Sequence, residues 1–230
     1  MIDKFFVVDF DRCLGSVDKS FNLMIDIVKD LDIIDSRELS EARRKSEAKR
    51  KAFSVFGYIK EVKTNVDFDL IENEYIKRSK NNPIKLQEPG AARFIDCLKA
   101  QGEYFCIMSY GDPHWQSVKI AAAGFDGVPV VLIDIEQKSK VIAKWYNEKT
   151  SKFVIPSKYF IDKISREADE VILIDDKQSA FDDLIDGIRS YWVENLDSPN
   201  AIWSGETHRS VQKISKIDEI IDLEFKNAHS

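Results

Sequence analysis

Five short runs of the chain are apolar at nearly every position: Phe5–Val8, Tyr104–Met108, Val128–Ile133, Val171–Ile174 and Tyr191–Val193. None alternates apolar with polar residues, so each reads as a strand covered on both faces. Between most of them apolar residues recur at helical spacing. Ala92–Ala100 places Phe94, Ile95 and Leu98 on one face, Trp115–Ala123 follows Pro113, and Val141–Tyr146 and Ala180–Ile185 complete the series. Strands alternating with helices predict an α/β fold, a doubly wound parallel sheet with helices on both faces.

The first strand breaks that rhythm. After Asp11 no second strand of the series follows for a long stretch, and residues 17–87 read as helices. Phe21, Leu23, Met24, Ile27, Val28 and Leu31 recur at helical period, Ser36–Ala52 is rich in Glu, Arg, Lys and Ala, and Phe68, Ile71, Tyr75 and Ile76 give a third amphipathic segment. Asn81-Asn82-Pro83 and Glu88-Pro89-Gly90 mark the return. The layout is therefore a core of residues 1–16 and 88–230 with an all-helical insertion at 17–87.

Composition narrows the classes. At 230 residues with 43% hydrophobic and 32% charged positions, the chain reads as an ordinary globular protein with one sizeable core. A net charge of −6 gives no general attraction to nucleic acid. The one dense basic stretch, Arg43, Arg44, Lys45, Lys49, Arg50 and Lys51, is interleaved with Glu41 and Glu47 at helical spacing, as on a solvated helix face. The cysteines, Cys13, Cys97 and Cys106, are odd in number and form no CxxC pair, which fits a reducing, cytoplasmic setting. The N-terminus passes almost directly into FFVVDFD, so no signal peptide is expected, and no apolar run approaches a membrane span. His114, His208 and His229 show no metal-ligand spacing.

The chemistry gathers at the strand ends. In VVDFD, Asp9 and Asp11 point the same way from an extended segment. Two carboxylates side by side resist burial unless something compensates, and a divalent cation does so. VILIDD repeats the pattern with Asp175 and Asp176, and ligands of open α/β sheets bind outside the carboxyl ends of the strands. Asp176 alone also suits a helix cap. Ser109 ends the run FCIMS, ahead of Gly111, where a hydroxyl and free backbone N–H groups can take a phosphate oxygen. In EQKSKVIAKW either Lys138 or Lys140 precedes a helix. Val141, Ile142 and Trp145 fall three, four and seven positions after Lys138, which favours Lys138.

Taken in order, these four motifs resemble those of the haloacid dehalogenase-like (HAD) hydrolase superfamily, over residues 1–16 and 88–195. The resemblance implies a Rossmann-like core with a helical cap inserted after the first motif. It implies Asp9 as the nucleophile that forms an aspartyl-phosphate and Asp11 as the acid and base. It implies Mg2+ held by Asp9, the backbone carbonyl of Asp11, Asp175 and Asp176, with Ser109 and Lys138 on the phosphoryl oxygens. A retained acid at Asp11 argues for phosphate rather than halide chemistry. A cap at this position implies a small phosphorylated substrate, with Arg43, Arg44, Phe56, Tyr58 and Lys60 as candidate specificity residues. No nucleic-acid or membrane partner is expected, and the sequence says nothing of oligomeric state.

Two positions depart from the pattern. Where similar sequences read DxDGT, this chain has Arg12 and Cys13, a bulky residue at a tight turn and a thiol in place of a bracing hydroxyl. That departure keeps a non-catalytic binding protein among the alternatives, beside a phosphotransferase or mutase on the same site. A receiver-type regulatory domain, which also carries acids at strand ends, does not fit the insertion and the extra length.

Overall fold

The computed structural model describes residues 2–49, 51–194 and 211–226. Arg50, Trp203, His208 and His229 lie outside them. A central eight-stranded sheet is built from β1 (Ile2–Val8), β2 (Tyr104–Tyr110), β3 (Val130–Ile133), β4 (Tyr146–Asn147), β5 (Lys152–Ile155), β6 (Arg166–Asp175), β7 (Ile188–Val193) and β8 (Val211–Ile214). Strands β3, β2, β1, β6, β7 and β8 pair in that order and are all parallel. The expected wholly parallel sheet is corrected at one place. A hairpin of β4 and β5 lies antiparallel along the first residues of β6. Its strands are two and four residues long, too short to show a period in the sequence.

Pleating sorts the strand residues into two cores. Phe6, Val8, Ile107, Ile172 and Ile174 face one side, and Phe5, Val7, Cys106, Met108, Val171 and Leu173 face the other. The first side is covered by α5 (Ala91–Ala100), α6 (Pro113–Ala122) and the C-terminal α8 (Glu219–Ile221), and the second by α7 (Lys138–Ala143) with Trp145, Phe160 and Phe181. Layers on both faces make the sheet doubly wound. The helix expected at Ala180–Ile185 is instead a 3-10 turn at Gln178–Phe181 followed by loop, with Asp183 at φ 59°. Three acids within Asp182–Asp186 leave only a short apolar face, so Ala180 and Phe181 dock and the chain turns away. Near the C-terminus a further strand, β8, precedes α8.

Residues 17–80 form four helices: α1 (Val17–Asp30), α2 (Ser36–Ala48), α3 (Val55–Val62) and α4 (Phe68–Lys80). Three of them start on side-chain caps, in which Asp35, Ser54 and Asp67 accept from the N–H groups of Arg37, Gly57 and Leu70. Their buried faces (Met24, Ile27, Leu39, Ile59 and Tyr75) join the core on the first side of the sheet. Trp115 of α6 is the junction, meeting Phe56 of α3 and Tyr75 of α4 edge to face at 5.6 and 5.3 Å. The insertion leaves and returns at one point. Ser16 N donates to Leu86 O at 2.8 Å, Glu88 N to Leu14 O at 2.9 Å, and Gly15 bridges both Asp11 and Gln87. Only glycine fits at 15, because a Cβ there would stand 2.3 Å from the Phe10 ring. Among the described residues no helix is long and apolar enough to cross a membrane.

Candidate active site

Strands β1 and β6 are neighbours in register, with Val8 opposite Ile174, so Asp9 and Asp175 emerge side by side at their carboxyl ends. Asp9 N donates to Ile174 O at 2.9 Å, which fixes the first carboxylate to the strand that carries the second pair. Lys138, at the start of α7, enters from the second face. Its Nζ donates to Asp9 Oδ1 at 2.5 Å and to Asp175 Oδ2. Lys140 is half exposed and pairs with Asp183 instead. Asp175 Oδ1 accepts from Lys177 N at 2.8 Å, so both of its oxygens are engaged.

This cluster is buried, and its electrostatics follow from that. Burial pushes the Asp9 carboxyl up to about 7, with Asp175 and Asp11 adding to the rise and Lys138 opposing it. Asp176 is raised well above the carboxylate range by burial and by Asp175 and Asp9. Burial disfavours the Lys138 cation, but the two carboxylates outweigh it and the ammonium is held charged. Three acids share one lysine, and Arg12 comes within 4.0 Å of Asp176. Asp176 Oδ1 is buried and has no hydrogen-bond partner among the described residues.

Asp11 has a different environment. Its Oδ1 accepts from Lys119 Nζ and its Oδ2 from Gln116 Nε2 at 2.9 Å, both on α6. Burial opposes its charge, but these partners prevail and hold its carboxyl below the usual range. Lys119 is almost fully buried and lies over the rings of Phe10 and Trp115 at 5.6 and 5.7 Å. Between the two environments is a cavity of about 20 Å³ lined by Asp9, Asp11, Tyr110, Glu136, Lys138 and Lys177.

The structure thus brings together Asp9, Asp11, Lys138, Asp175 and Asp176. Ser109 is the last residue but one of β2, buried, with its hydroxyl lacking a partner, but Tyr110 rather than Ser109 lines the cavity. The proposed specificity residues do not line it. Phe56 packs against Trp115, Tyr58 donates to Glu38, and Arg43 pairs with Asp18 and Glu47. Lys119, Gln116, Lys177 and Glu136 were not singled out in the sequence. The available signal was two long polar residues, Gln116 and Lys119, three apart on α6.

No family model matches the sequence, and no curated protein matches it. Solved structures do. A haloacid dehalogenase-like hydrolase from Burkholderia xenovorans superposes with a TM-score of 0.62 at 16% identity, covering 100% of each chain. The chain has the HAD-like fold. A HAD hydrolase from Bacillus subtilis, solved bound to magnesium, shares that fold at a TM-score of 0.50 and 16% identity over 97% of this chain and 99% of its own. An L-2-haloacid dehalogenase from Xanthobacter autotrophicus carrying covalently bound chloropropionic acid does so at 0.52 and 11%, over 100% of both. HAD-like neighbours are thus hydrolases with more than one chemistry, and the choice among them rests on the residues at the strand ends.

The residues fit a divalent cation. Sulfur and carboxylate oxygens of Asp9, Cys13 and Asp176 lie within 4.8 Å of one another, and the orphaned Asp176 Oδ1 is among the groups a cation would satisfy. Of the expected ligand residues, Asp175 is turned to Lys138 and Lys177.

Proposed function

We propose that this protein is a magnesium-dependent phosphatase that hydrolyses a small phosphorylated metabolite through an aspartyl-phosphate on Asp9. The observation that carries the reading is the buried cluster of Asp9, Lys138, Asp175 and Asp176. It combines a nucleophile, a fixed ammonium and spare carboxylate oxygens at one strand end. Asp9 and Asp176, with the carbonyl of Asp11, would hold the cation, which would offset repulsion between an anionic nucleophile and an anionic phosphate. The magnesium-bound Bacillus relative supports that choice of cation.

Asp9 attacks phosphorus and the P–O bond to the leaving group breaks. Lys138 moves its hydrogen bonds from Asp9 and Asp175 to the phosphoryl oxygens, stabilising charge as it redistributes. Ser109 offers its unpartnered hydroxyl to the same oxygens. Asp11 protonates the departing oxygen, then takes a proton from the water that cleaves the aspartyl-phosphate. As held by Lys119 and Gln116 it is in the ionised form that the second half needs, and it takes a proton from solvent for the first half when an incoming phosphate draws Lys119 away. The cavity holds little more than one water, so substrate binding requires the helical insertion and α6 to give way.

The test is phosphate release from an aryl phosphate and a panel of metabolite phosphates, with magnesium or chelator, for the parent and Asp9→Asn. Turnover that needs the metal and vanishes in the variant supports the reading, and a folded parent inactive on the whole panel sinks it. Transfer to a sugar hydroxyl in place of water would identify a phosphotransferase. One observation favours a second reading, a phosphate-binding protein without turnover: both oxygens of Asp11 are already taken. Tight binding of phosphorylated ligands with no product would establish it.

A further inference from the structure

Cys13 has a place in the site that the phosphatase reading does not use. It is 1% exposed, and its sulfur lies within 4.8 Å of carboxylate oxygens of Asp9 and Asp176, which lie within that distance of each other. Three donors so placed can reach one cation. A second observation falls on one of the same three residues. Asp176 is 5% exposed and its Oδ1 has no partner among the described residues, while Arg12 approaches only Oδ2, at 4.0 Å. A buried acceptor without a donor costs on the order of 1–3 kcal/mol, and more when charged, so the position is suited to something that binds there.

The turn explains how the thiol arrives. Arg12 takes φ 65°, the chain folds back, and Cys13 N donates to Phe10 O at 3.3 Å, which sets the side chain of residue 13 beneath the carboxylates. The donor set differs from what magnesium favours. Magnesium takes oxygen ligands, whereas thiolate sulfur prefers borderline and soft cations.

We propose that Asp9, Cys13 and Asp176 form a mixed thiolate–carboxylate site for a borderline-soft divalent cation of the cobalt, zinc or cadmium kind. The inference rests on the cation-dependent phosphatase reading in sharing Asp9 and Asp176 with it, and adds sulfur as a ligand. Binding breaks the S–H bond and forms a sulfur–metal bond, and the proton passes to solvent. Magnesium uses the oxygens alone, so the two kinds of cation compete for one cradle and Cys13 sets the preference between them.

The full chain, stripped of metal by chelator, is titrated with cobalt while the near-ultraviolet spectrum is followed, then with cadmium and magnesium in competition. A sulfur-to-cobalt charge-transfer band is expected in the parent and in Cys97→Ser, and its loss in Cys13→Ser. Loss of even an outer partner of a metal ligand costs about 10–100-fold in affinity, so cadmium should weaken at least tenfold in Cys13→Ser. Magnesium affinity should stay within about twofold, because magnesium does not use the sulfur. Cys13→Thr serves if the serine variant does not fold, with circular dichroism as the check. In the parent itself, cadmium should protect Cys13 from alkylation, read by peptide mapping, which needs no substitution. A cobalt complex without the sulfur band, unchanged cadmium affinity in a folded Cys13 variant, or no protection of Cys13 overturns the proposal. Magnesium-dependent phosphate release, measured alongside, reports on the phosphatase reading separately, so either can fail alone.

Discussion

Asp9 and Asp11 stand two residues apart, yet the fold gives them opposite surroundings. Asp9 is tied through its backbone to β6, sits among two further acids, and is drawn toward protonation. Asp11 leans on α6, accepts from a lysine and a glutamine, and is held ionised. The lesson is that roles in a paired-carboxylate site come from the elements packed against each acid and not from the DxD spacing. The proposed nucleophile is fixed by the sheet, and the proposed acid–base group is held by a helix that also supports the insertion through Trp115.

The largest expected effect tests that division directly. Asp9→Asn should lower phosphate release by about 10⁴-fold or more, as removal of a nucleophile does, whereas Asp11→Asn should cost about 10²–10⁴-fold, the range for an acid–base group. Equal losses would erase the distinction. Lys119→Met should follow, leaving a mostly buried carboxylate without its cation. The expected loss is about 2 kcal/mol in urea unfolding, moderated because Asp11 retains some exposure. No change would mean that the pair is not formed in solution.

A smaller effect concerns pH. Asp9 and Asp176 have raised values in the fold, so above the ordinary carboxylate range the folded state binds more protons than the unfolded chain. The Asp9 contribution is full below the ordinary range and is lost as pH rises through about 7, and Asp176 acts in the same direction. Asp11 acts in the opposite sense, but its gain is complete above the ordinary range. Metal-free protein should therefore melt at a lower temperature at pH 8 than at pH 5, and magnesium should narrow the gap. A melting temperature that rises over this interval in chelator would contradict the burial of Asp9. The smallest effect is at Arg12, whose left-handed φ of 65° costs an ordinary residue about 1–2 kcal/mol. Arg12→Gly should gain about 0.5 kcal/mol, since relief of strain exceeds the added freedom of the unfolded chain. A loss would show that the Arg12–Asp176 contact outweighs the strain.

Much of this was legible in the sequence, for a physical reason. FFVVD and VILIDD are continuous apolar strands ending in acids, and burial on both faces leaves no other reading of such runs. Lys138 was legible because Val141 and Ile142 on α7, with Trp145 just beyond it, fix which side meets the sheet. The partners of Asp11 were not legible, because Gln116 and Lys119 become neighbours of β1 only after α6 packs across it. The β4–β5 hairpin was lost for want of length. The loop at Asp182–Asp186 was misread because Leu184 and Ile185 suggest a helical stripe that the surrounding acids interrupt.

The doubled bridge at Gly15, joining Asp11 to Gln87, makes the two necks of the insertion a single ribbon. Any swing of the four helices must turn about that ribbon, and Asp11 is one of its rungs. Asp9, hydrogen-bonded through its backbone to Ile174, lies on the stationary side of the pivot. In the proposed reaction the insertion would act as a lever with Asp11 at its fulcrum. Opening to admit a substrate would tilt that carboxylate and leave Asp9 still, so the two would align only on closing.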